Sequence, residues 1–566
     1  MRLRTLCVAM ASWSAIGQQC TVSNNTFISV TNCTGDVCSV SPLEMSQLPH
    51  LPAFTEQLIS GAAGRCNGTV VFGQPLSIRY SDISYTGSLE VRRATELFVS
   101  WVNTRRGGLT VGGKQLMVRY HVVGDGSNPT QVTNATYHAS ETVESAHFLL
   151  GPYGSTLVCG TSPGSPADRY PRVRASSLHF SSSPLPPTSI AISPHQTKYA
   201  ALQSGALRKI IVASSAATPA VIATNNLTFG TLPPSSKSVA ATTRAVIAAA
   251  ELCDAPDDTV DAEAIAFKRT NPLCVASGAL RRDMVCTVGG SCRQSLLAGF
   301  IYEDSTFPRN MCVEEGPGVL NSLGMRYALN ATTGAPLMVG VPAGPTVAQN
   351  STEYTVYLDV LETALRHLQE AGVTYVIACT YFSSAEGIVE ALYQMNYSPL
   401  AVMVTVALSD SRWADSQWVD SRAATNMALA EPWWRWGYIL EPVTWHPSKN
   451  GTVGRFTQMT SKDFTDAFLA MFGEGVSYVG ASQFMSCVAL AHAVETADSL
   501  DTDRVAAALS TMDLPEFAQH ITFNSFGMMS SEMIVTQVGD CERAACHFPL
   551  LTALPSVRPS VRHAGG

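Results

Sequence analysis

Apolar residues return along this chain in two alternating rhythms. Val70–Ile78 (VVFGQPLSI) is a nearly continuous apolar run of strand length. Ala94, Leu97, Phe98, Trp101 and Val102 then recur at the spacing of one helical face, in a helix that Ser88 caps and Gly107–Gly108 ends. Leu116–Val123 reads as the next strand and Pro129–Ser145 as a helical stretch. His147–Leu150 is a short strand entering Gly151-Pro152-Tyr153-Gly154-Ser155. The alternation resumes with strand-like Leu297–Tyr302, partly helical Cys312–Leu329 and strand-like Pro336–Ala343. Tyr354, Tyr357, Leu358, Leu361, Leu365 and Leu368 form a helical face that Gly372 terminates. Val373–Cys379 (strand), Ala385–Tyr393 (helix) and Leu400–Leu408 (strand) follow, then helices from Ser461 and over Tyr478–Ala497 and Asp501–Ser510, and strands at Ile521–Phe523 and Met533–Val538. Repeated strand–helix units demand parallel sheets covered by helices on both faces. Two such runs, separated by a loop-rich region, predict two doubly wound lobes rather than one large sheet. Ligands of open α/β sheets sit beyond the carboxyl ends of the strands, so two lobes facing each other with those ends enclose a cleft.

Composition narrows the class. The 566 residues are 46% hydrophobic and 14% charged, a well-packed globular balance on a chain too long for one compact core. A net charge of −8 with no Lys/Arg block excludes a nucleic-acid or polyanion surface. Met1–Gln18 reads as a secretory signal: Arg2 and Arg4 give a positive start and Leu6–Ile16 a short apolar run. The bland alternative is an uncleaved irregular terminus. No later window has the length of uninterrupted apolar sequence that a membrane span needs. Asn-x-Ser/Thr sequons stand at Asn24, Asn32, Asn67, Asn134, Asn226, Asn330, Asn350, Asn396 and Asn450, about half of all the asparagines. That excess favours an exported eukaryotic glycoprotein. Of the 15 cysteines, an even number remains if Cys7 leaves with the signal, which suits complete disulfide pairing. Clusters at Cys20/Cys33/Cys38/Cys66 and Cys253/Cys274/Cys286/Cys292 fall in loop-like stretches that crosslinks would tie down. No CxxC pair or matching His spacing points to zinc, so no metal and no cofactor is expected.

The motifs of catalysis are poor. Gly160-Thr161-Ser162-Pro163-Gly164 fits the letters of GxSxG, but Pro163 removes the amide that should follow the nucleophile in an oxyanion hole. Gly108 to Lys114 fits GxxxxGK, yet Gln115 stands where Ser or Thr must hold magnesium and a strand follows instead of a helix. Glu441, His446 and Asp463 have no catalytic spacing, and Trp433, Trp434 and Trp436 read as core or lobe-edge packing.

An ordered series of segments carries a resemblance over residues 69–540: FGQPLSI and the TGSLEVRRATELFVSWVN helix; GPYGST; SSAATPAV and FGTLPP; GFIYEDSTF; then TSKDFTDAFLAMFG, SYVGASQF and ITFNSFG. In this order they resemble the leucine/isoleucine/valine-binding proteins and the related receptor ligand-binding regions, the type 1 periplasmic-binding-protein fold. The resemblance implies a non-enzymatic protein closing by hinge motion on an amino acid or similar small carboxylate. By matching position it assigns the ligand to Ser155 and Thr156 of the first turn and to Ser215, Ala216, Ala217 and Thr218 of the second loop. Ala216 would offer its carbonyl, Thr218 its hydroxyl and amide. Phe307 and Tyr381 match positions where the family places aromatic rings in the second lobe, and Tyr85 lies in the loop after the first strand. Independently, Ser155 follows a strand where free amides favour an anion, and the small residues at 214–218 let backbone groups approach a ligand.

The implied division is a signal at 1–18, a Cys-rich N-terminal extension at 19–67, lobe 1 at 68–235 and 455–515, lobe 2 at 236–454 and 516–548, and a tail at 549–566. Two features depart from the family. About sixty residues separate Ser155 from Ser215 where about twenty are usual, and six prolines interrupt the expected helix, so this is an insertion or an error of the gene model. The acid that grips an ammonium from lobe 2 has no evident counterpart near Thr405–Ala407. The expectation is a secreted, small-molecule-binding protein whose receptor or transporter partner the sequence does not identify. The ectodomain of a membrane receptor is the alternative context, and a secreted α/β hydrolase using Ser162 or Ser155 the alternative class.

Overall fold

The computed structural model of the chain describes residues 68–78, 85–126, 134–136, 146–153, 205–223, 225–254, 260, 296–344, 351–397, 399–407, 439–449 and 452–538, with the backbone of strands at 30–34, 37–40 and 547–549. Strand β3 (Thr69–Leu76) is buried on both faces from Val70 onward, as its unbroken apolar run requires. It lies parallel to β5 (Lys114–Gly124) on one side and β6 (Phe148–Leu150) on the other. Beyond β6 come β7 (Ile211–Ala213) and β8 (Thr228–Gly230), again parallel. On the far flank β2 (Val37–Val40) pairs antiparallel with β5, and β1 (Val30–Thr34) with β2. Part of the N-terminal segment expected to be irregular thus adds a hairpin to the first sheet. Its pairing satisfies main-chain groups along an edge, which needs no apolar period and leaves no periodic trace in the sequence. The GxxxxGK match is also a hairpin, with β4 (Leu109–Val111) folding back on β5.

Helices α1 (Tyr85–Arg105) and α9 (Tyr478–Ala497) pack together against this sheet. Ala94, Leu97, Phe98, Trp101 and Val102 are all fully buried, with Phe98 edge-on to Phe484 at 5.6 Å. Ser88, expected to cap α1, lies inside its first turn, because the helix begins three residues earlier. α8 (Ser461–Phe472) opens with a capping box between Thr460 and Asp463, closes at Gly473 and buries Phe464 against Phe484 and Phe517. α10 (Thr502–Ser510) and the hairpin of β14 (Asp513–Pro515) with β15 (His520–Thr522) complete this lobe, Leu509, Leu514 and Ile521 entering the same core.

The second sheet runs β10 (Met338–Val341), β9 (Ala298–Glu303), β11 (Tyr375–Cys379), β12 (Ala401–Met403) and β13 (Ile439–Val443) in parallel. Antiparallel β16 (Ile534–Val538) and β17 (His547–Pro549) extend it. α6 (Thr352–Glu370), capped by Ser351, buries the whole apolar face read from the sequence, packing on α7 (Phe382–Gln394). α3 (Ser235–Asp254) lines the opposite face. Among the described residues no helix is long and apolar enough to cross a membrane.

One disulfide is described. It joins Cys312 to Cys379, linking a helical segment to the end of β11 across a separation of 67 residues. Cys487 is free and fully buried in α9, and burial pushes its thiol up to about 12. Complete pairing of the cysteines therefore does not hold: facing an apolar interior, this one serves as a small hydrophobe. The side chains of the two predicted cysteine clusters lie outside the described residues.

The chain passes between the lobes after β8, after β13 and after β15. The first two crossings meet at Ser482 and Ser486, one helical turn apart on the same face of α9. Thr231 Oγ1, on the first crossing, donates to the carbonyl of Ser482 (3.1 Å) and lies 2.6 Å from Ser486 Oγ. Thr444 Oγ1, on the second, lies 3.2 Å from Ser482 Oγ. Gln519 Nε2, in the turn of the β14–β15 hairpin ahead of the third, donates to the Thr231 carbonyl (3.3 Å). Every one of these side chains is buried. Thr231→Val removes the bonds of this hydroxyl to Ser482 and Ser486, while Ser486 Oγ keeps its own bond to the Ser482 carbonyl (3.1 Å), so the change should cost about 1 kcal/mol. The check is a lower denaturant midpoint at unchanged slope. Removing the disulfide as Cys312→Ala/Cys379→Ala should cost about 4 kcal/mol from the loop it closes, and an unchanged midpoint would show the bond to be dispensable.

Candidate functional site

The carboxyl ends of the parallel strands gather the site. On lobe 1, Gly151 follows β6 so closely against β7 that an added Cβ would lie 2.6 Å from the Cβ of Ala213. Its amide donates to Val212 O (2.9 Å), and its carbonyl accepts from Gln74 Nε2 (2.7 Å), which fixes the start of the GPYGST turn from inside the core. Tyr153 of that turn lies against the first turn of α1, where a Cβ on Gly87 would stand 2.3 Å from its ring. This is the helical turn that holds Tyr85, whose side chain is outside the described residues, as are Ser155 and Thr156.

The second loop follows β7. Ser215 is half-buried with its Oγ 3.1 Å from Ser214 Oγ. Ala216 is fully buried, its methyl in a small apolar cluster with Val221, Ile222 and Met528 and its carbonyl oxygen close to Gly230 of β8. The Ala217 carbonyl accepts from Ser235 N (2.9 Å), and its methyl shares a buried cluster with Phe307 of lobe 2. Thr218 caps the short α2 (Pro219–Ile222) without a side-chain capping bond. Its hydroxyl is buried, 2% exposed for the residue, and has no hydrogen-bond partner among the described residues.

On lobe 2 the two aromatics nominated from sequence stand together, with the Phe307 and Tyr381 rings 5.8 Å apart. Phe307 lies in α4 (Thr306–Arg309), just before the segment that the disulfide ties to β11. Tyr381 caps α7, and Thr405 Oγ1 clamps the preceding residue by accepting from Thr380 N (2.9 Å) and donating to Thr380 O (2.6 Å). Glu303, at the end of β9, binds the same helix start: it accepts from Ser384 Oγ (2.7 Å), Tyr381 N (3.4 Å) and Ser305 Oγ (3.1 Å). Burial raises its pKa, and these hydrogen bonds oppose the shift.

Sequence reasoning missed three groups. An acid does stand at Thr405–Ala407, but it comes from the neighbouring strand: Glu441 of β13 accepts from Ala407 N at 2.9 Å. Between them Val406 holds a left-handed φ of 53°, a costly conformation for a β-branched residue and typical of functional loops. Tyr478, at the start of α9, has a pKa raised by burial and then by Glu441, Tyr153, Glu90 and Tyr381, so groups from both lobes converge on its phenol. The available signals were slight: a carboxylate inside the otherwise apolar YILEPV and a tyrosine inside SYVGASQF. Among the described residues no group of His, Cys, Asp and Glu is arranged to hold a metal ion.

The family model described as "Periplasmic binding protein" matches residues 327–542. No curated protein is similar enough in sequence to count as a match. Solved structures are similar in shape. A leucine binding protein from Thermotoga maritima aligns over 83% of this chain and 96% of its own, at 11% identity and a TM-score of 0.52. A possible leucine/isoleucine/valine-binding protein from Rhodopirellula baltica aligns over 86% and 98%, at 11% identity and 0.52. A solute binding protein from R. palustris, in complex with 4-hydroxybenzoate, aligns over 83% and 93%, at 11% identity and 0.51. The chain has the type 1 periplasmic-binding-protein fold. The loops after β7, β9, β11 and β12 meet at one mouth between the lobes, where Ala217 and Phe307 share a buried cluster, Phe307 lies against Tyr381 and Thr405 binds Thr380.

Glu303 makes this mouth sensitive to pH. Below the ordinary carboxylate value of 4.5 the group is protonated in folded and unfolded chains alike. Above it the unfolded chain releases the proton first, so stability falls as pH rises through the raised folded value. Glu303→Gln cannot ionise, and between about pH 4 and 7 the wild type should lose melting temperature relative to it. A constant difference across that range would remove Glu303 from the account.

Proposed function

We propose that the protein is an exported, non-enzymatic binding protein that closes its two lobes on a small carboxylate, an amino acid or an aromatic acid. The observation that carries the reading is Thr218 Oγ1, a hydroxyl buried at the carboxyl end of the first sheet without a partner among the described residues. Leaving such a group unpaired costs about 1–3 kcal/mol, a cost that a ligand atom removes. Ser215 and the backbone of Ala216 and Ala217 flank it with small groups. With Ser155 and Thr156 of the first turn, and Tyr85, they form the lobe 1 half of the ligand contacts. Phe307 and Tyr381 supply the apolar wall from lobe 2, and Glu441, held against Ala407, is the acid placed to meet an ammonium if the ligand carries one.

Similar structures support the ligand class: one is a leucine binding protein and another holds 4-hydroxybenzoate, and both compounds pair a carboxylate with an apolar body. The disulfide between Cys312 and Cys379 supports an oxidising compartment. Hinge closure on the three crossings would bury the ligand and present a closed form to a transporter or receptor partner at a membrane.

A thermal-shift screen of the secreted protein against aliphatic amino acids and benzoates tests the class. A ligand at a hundred times its dissociation constant should add about 3 kcal/mol of stability. In Thr218→Val, affinity for that ligand should fall roughly tenfold, while the unliganded protein keeps or gains stability. Unchanged affinity with a loss of unliganded stability would make this hydroxyl purely structural and end the assignment.

A further inference from the structure

A second recess, of about 400 Å³, opens at the free edge of the first sheet, where the start of β8 meets the turn at 523–527. It does not belong to the cleft. Phe229 and Phe523 meet edge-on at 5.3 Å in its lining, and Phe526 stands beside them at 61% exposure, the one aromatic among the exposed large hydrophobic residues described. The turn is rigidly built. Asn524 Oδ1 accepts from Phe526 N (2.9 Å) and Met528 N (3.0 Å), and Gly527 O accepts from Gly230 N (2.9 Å). Gly527, at φ 79°, comes so near β8 that a Cβ would lie 2.6 Å from Thr228 O. The Phe526 ring is thereby held at the rim of the recess, open to solvent.

Asn226 lies in the same lining, exposed, and begins the sequon Asn226-Leu227-Thr228. We propose that Asn226 carries an N-linked glycan whose innermost sugar rests in this recess with its apolar face on Phe526. Sugar rings match such a surface, with C–H groups for the aromatic face and hydroxyls for the polar groups of Asn225, Ser510 and Ser525 in the lining. The donor is a polyprenyl-diphosphate oligosaccharide. The bond from sugar C1 to the diphosphate oxygen breaks, a bond from C1 to Asn226 Nδ2 forms, the amide nitrogen gives up one proton, and the diphosphate leaves. Asn225 is no competitor, since Leu227 stands where its sequon would need a hydroxyl. Thr228 is 2% exposed within β8, so transfer must precede the docking of that strand, and the glycan then settles onto the turn as the sheet edge closes.

The test uses the full chain secreted from eukaryotic cells. Peptide mapping after amidase release in heavy-oxygen water should find labelled aspartate at position 226 in wild type and Thr228→Ser, and none in Asn226→Gln. An unmodified Asn226 in the secreted wild type overturns the proposal. Packing is read separately, in a thermal cycle of wild type, Phe526→Ala, Asn226→Gln and the double variant. Phe526→Ala should lower the melting temperature by about 2 °C when the glycan is present and by far less in the Asn226→Gln background. Equal shifts in both backgrounds would show that the sugar does not rest on the ring.

Discussion

Two hydroxyls on one helix hold the lobes in register. Ser482 and Ser486 project from the same face of α9 and meet Thr231 directly, Thr444 through the Ser482 hydroxyl and Gln519 through the Thr231 carbonyl. The first two crossing segments and the β14–β15 turn each carry a polar side chain into the interior, and its loss would leave buried polar atoms short of a hydrogen bond. A knot of this kind constrains where the segments start while leaving the torsions beyond it free. The proposed hinge closure would use such a knot as its fixed pivot, with the short connections absorbing rotation.

The mouth between the lobes is built from polar atoms that brace one another. Thr405 bridges both main-chain groups of Thr380, Glu303 accepts from two donors at the start of α7 and from Ser305 beside it, and Glu441 crosses from its own strand to the amide of Ala407. These bonds set the Tyr381 ring against Phe307 and keep Val406 in a conformation it would otherwise avoid. The disulfide reinforces the same corner by tying the segment after Phe307 to the strand before Tyr381. Lobe 1 reaches toward this corner through Ala217, and Ser235 links the two sides: its amide binds Ala217, and its hydroxyl lies within 2.9 Å of oxygens of Asn310 and Glu315.

The elements most legible in the sequence were those whose energy comes from burying a periodic apolar face. α6 buries every residue of the face read for it, and β3 and β11 appear where continuous apolar runs stand. Phe307 and Tyr381 were each nominated by the family resemblance, but that their rings lie 5.8 Å apart was not legible. Illegible were contacts made by single polar groups between distant segments. Nothing local in GFIYED tells Glu303 that Tyr381 and Ser384 lie about eighty residues away, and nothing near Ala407 reveals that Glu441 will accept from its amide. The β1–β2 hairpin was hidden for a related reason, being added by main-chain pairing alone.

The sequence by itself determined the alternation of strand and helix, and with it two parallel sheets and the ends at which a ligand site would form. Local propensity and hydrophobic period act over a few residues, and strand order within a doubly wound sheet is narrowed by chain connection. Tertiary structure alone decided which acid stands at the mouth, that Cys487 stays unpaired, that Thr218 Oγ1 is buried without a described partner, and that Asn226 borders an aromatic recess. Each of these depends on distances between segments far apart in the chain, and packing sets those distances only when the whole core closes.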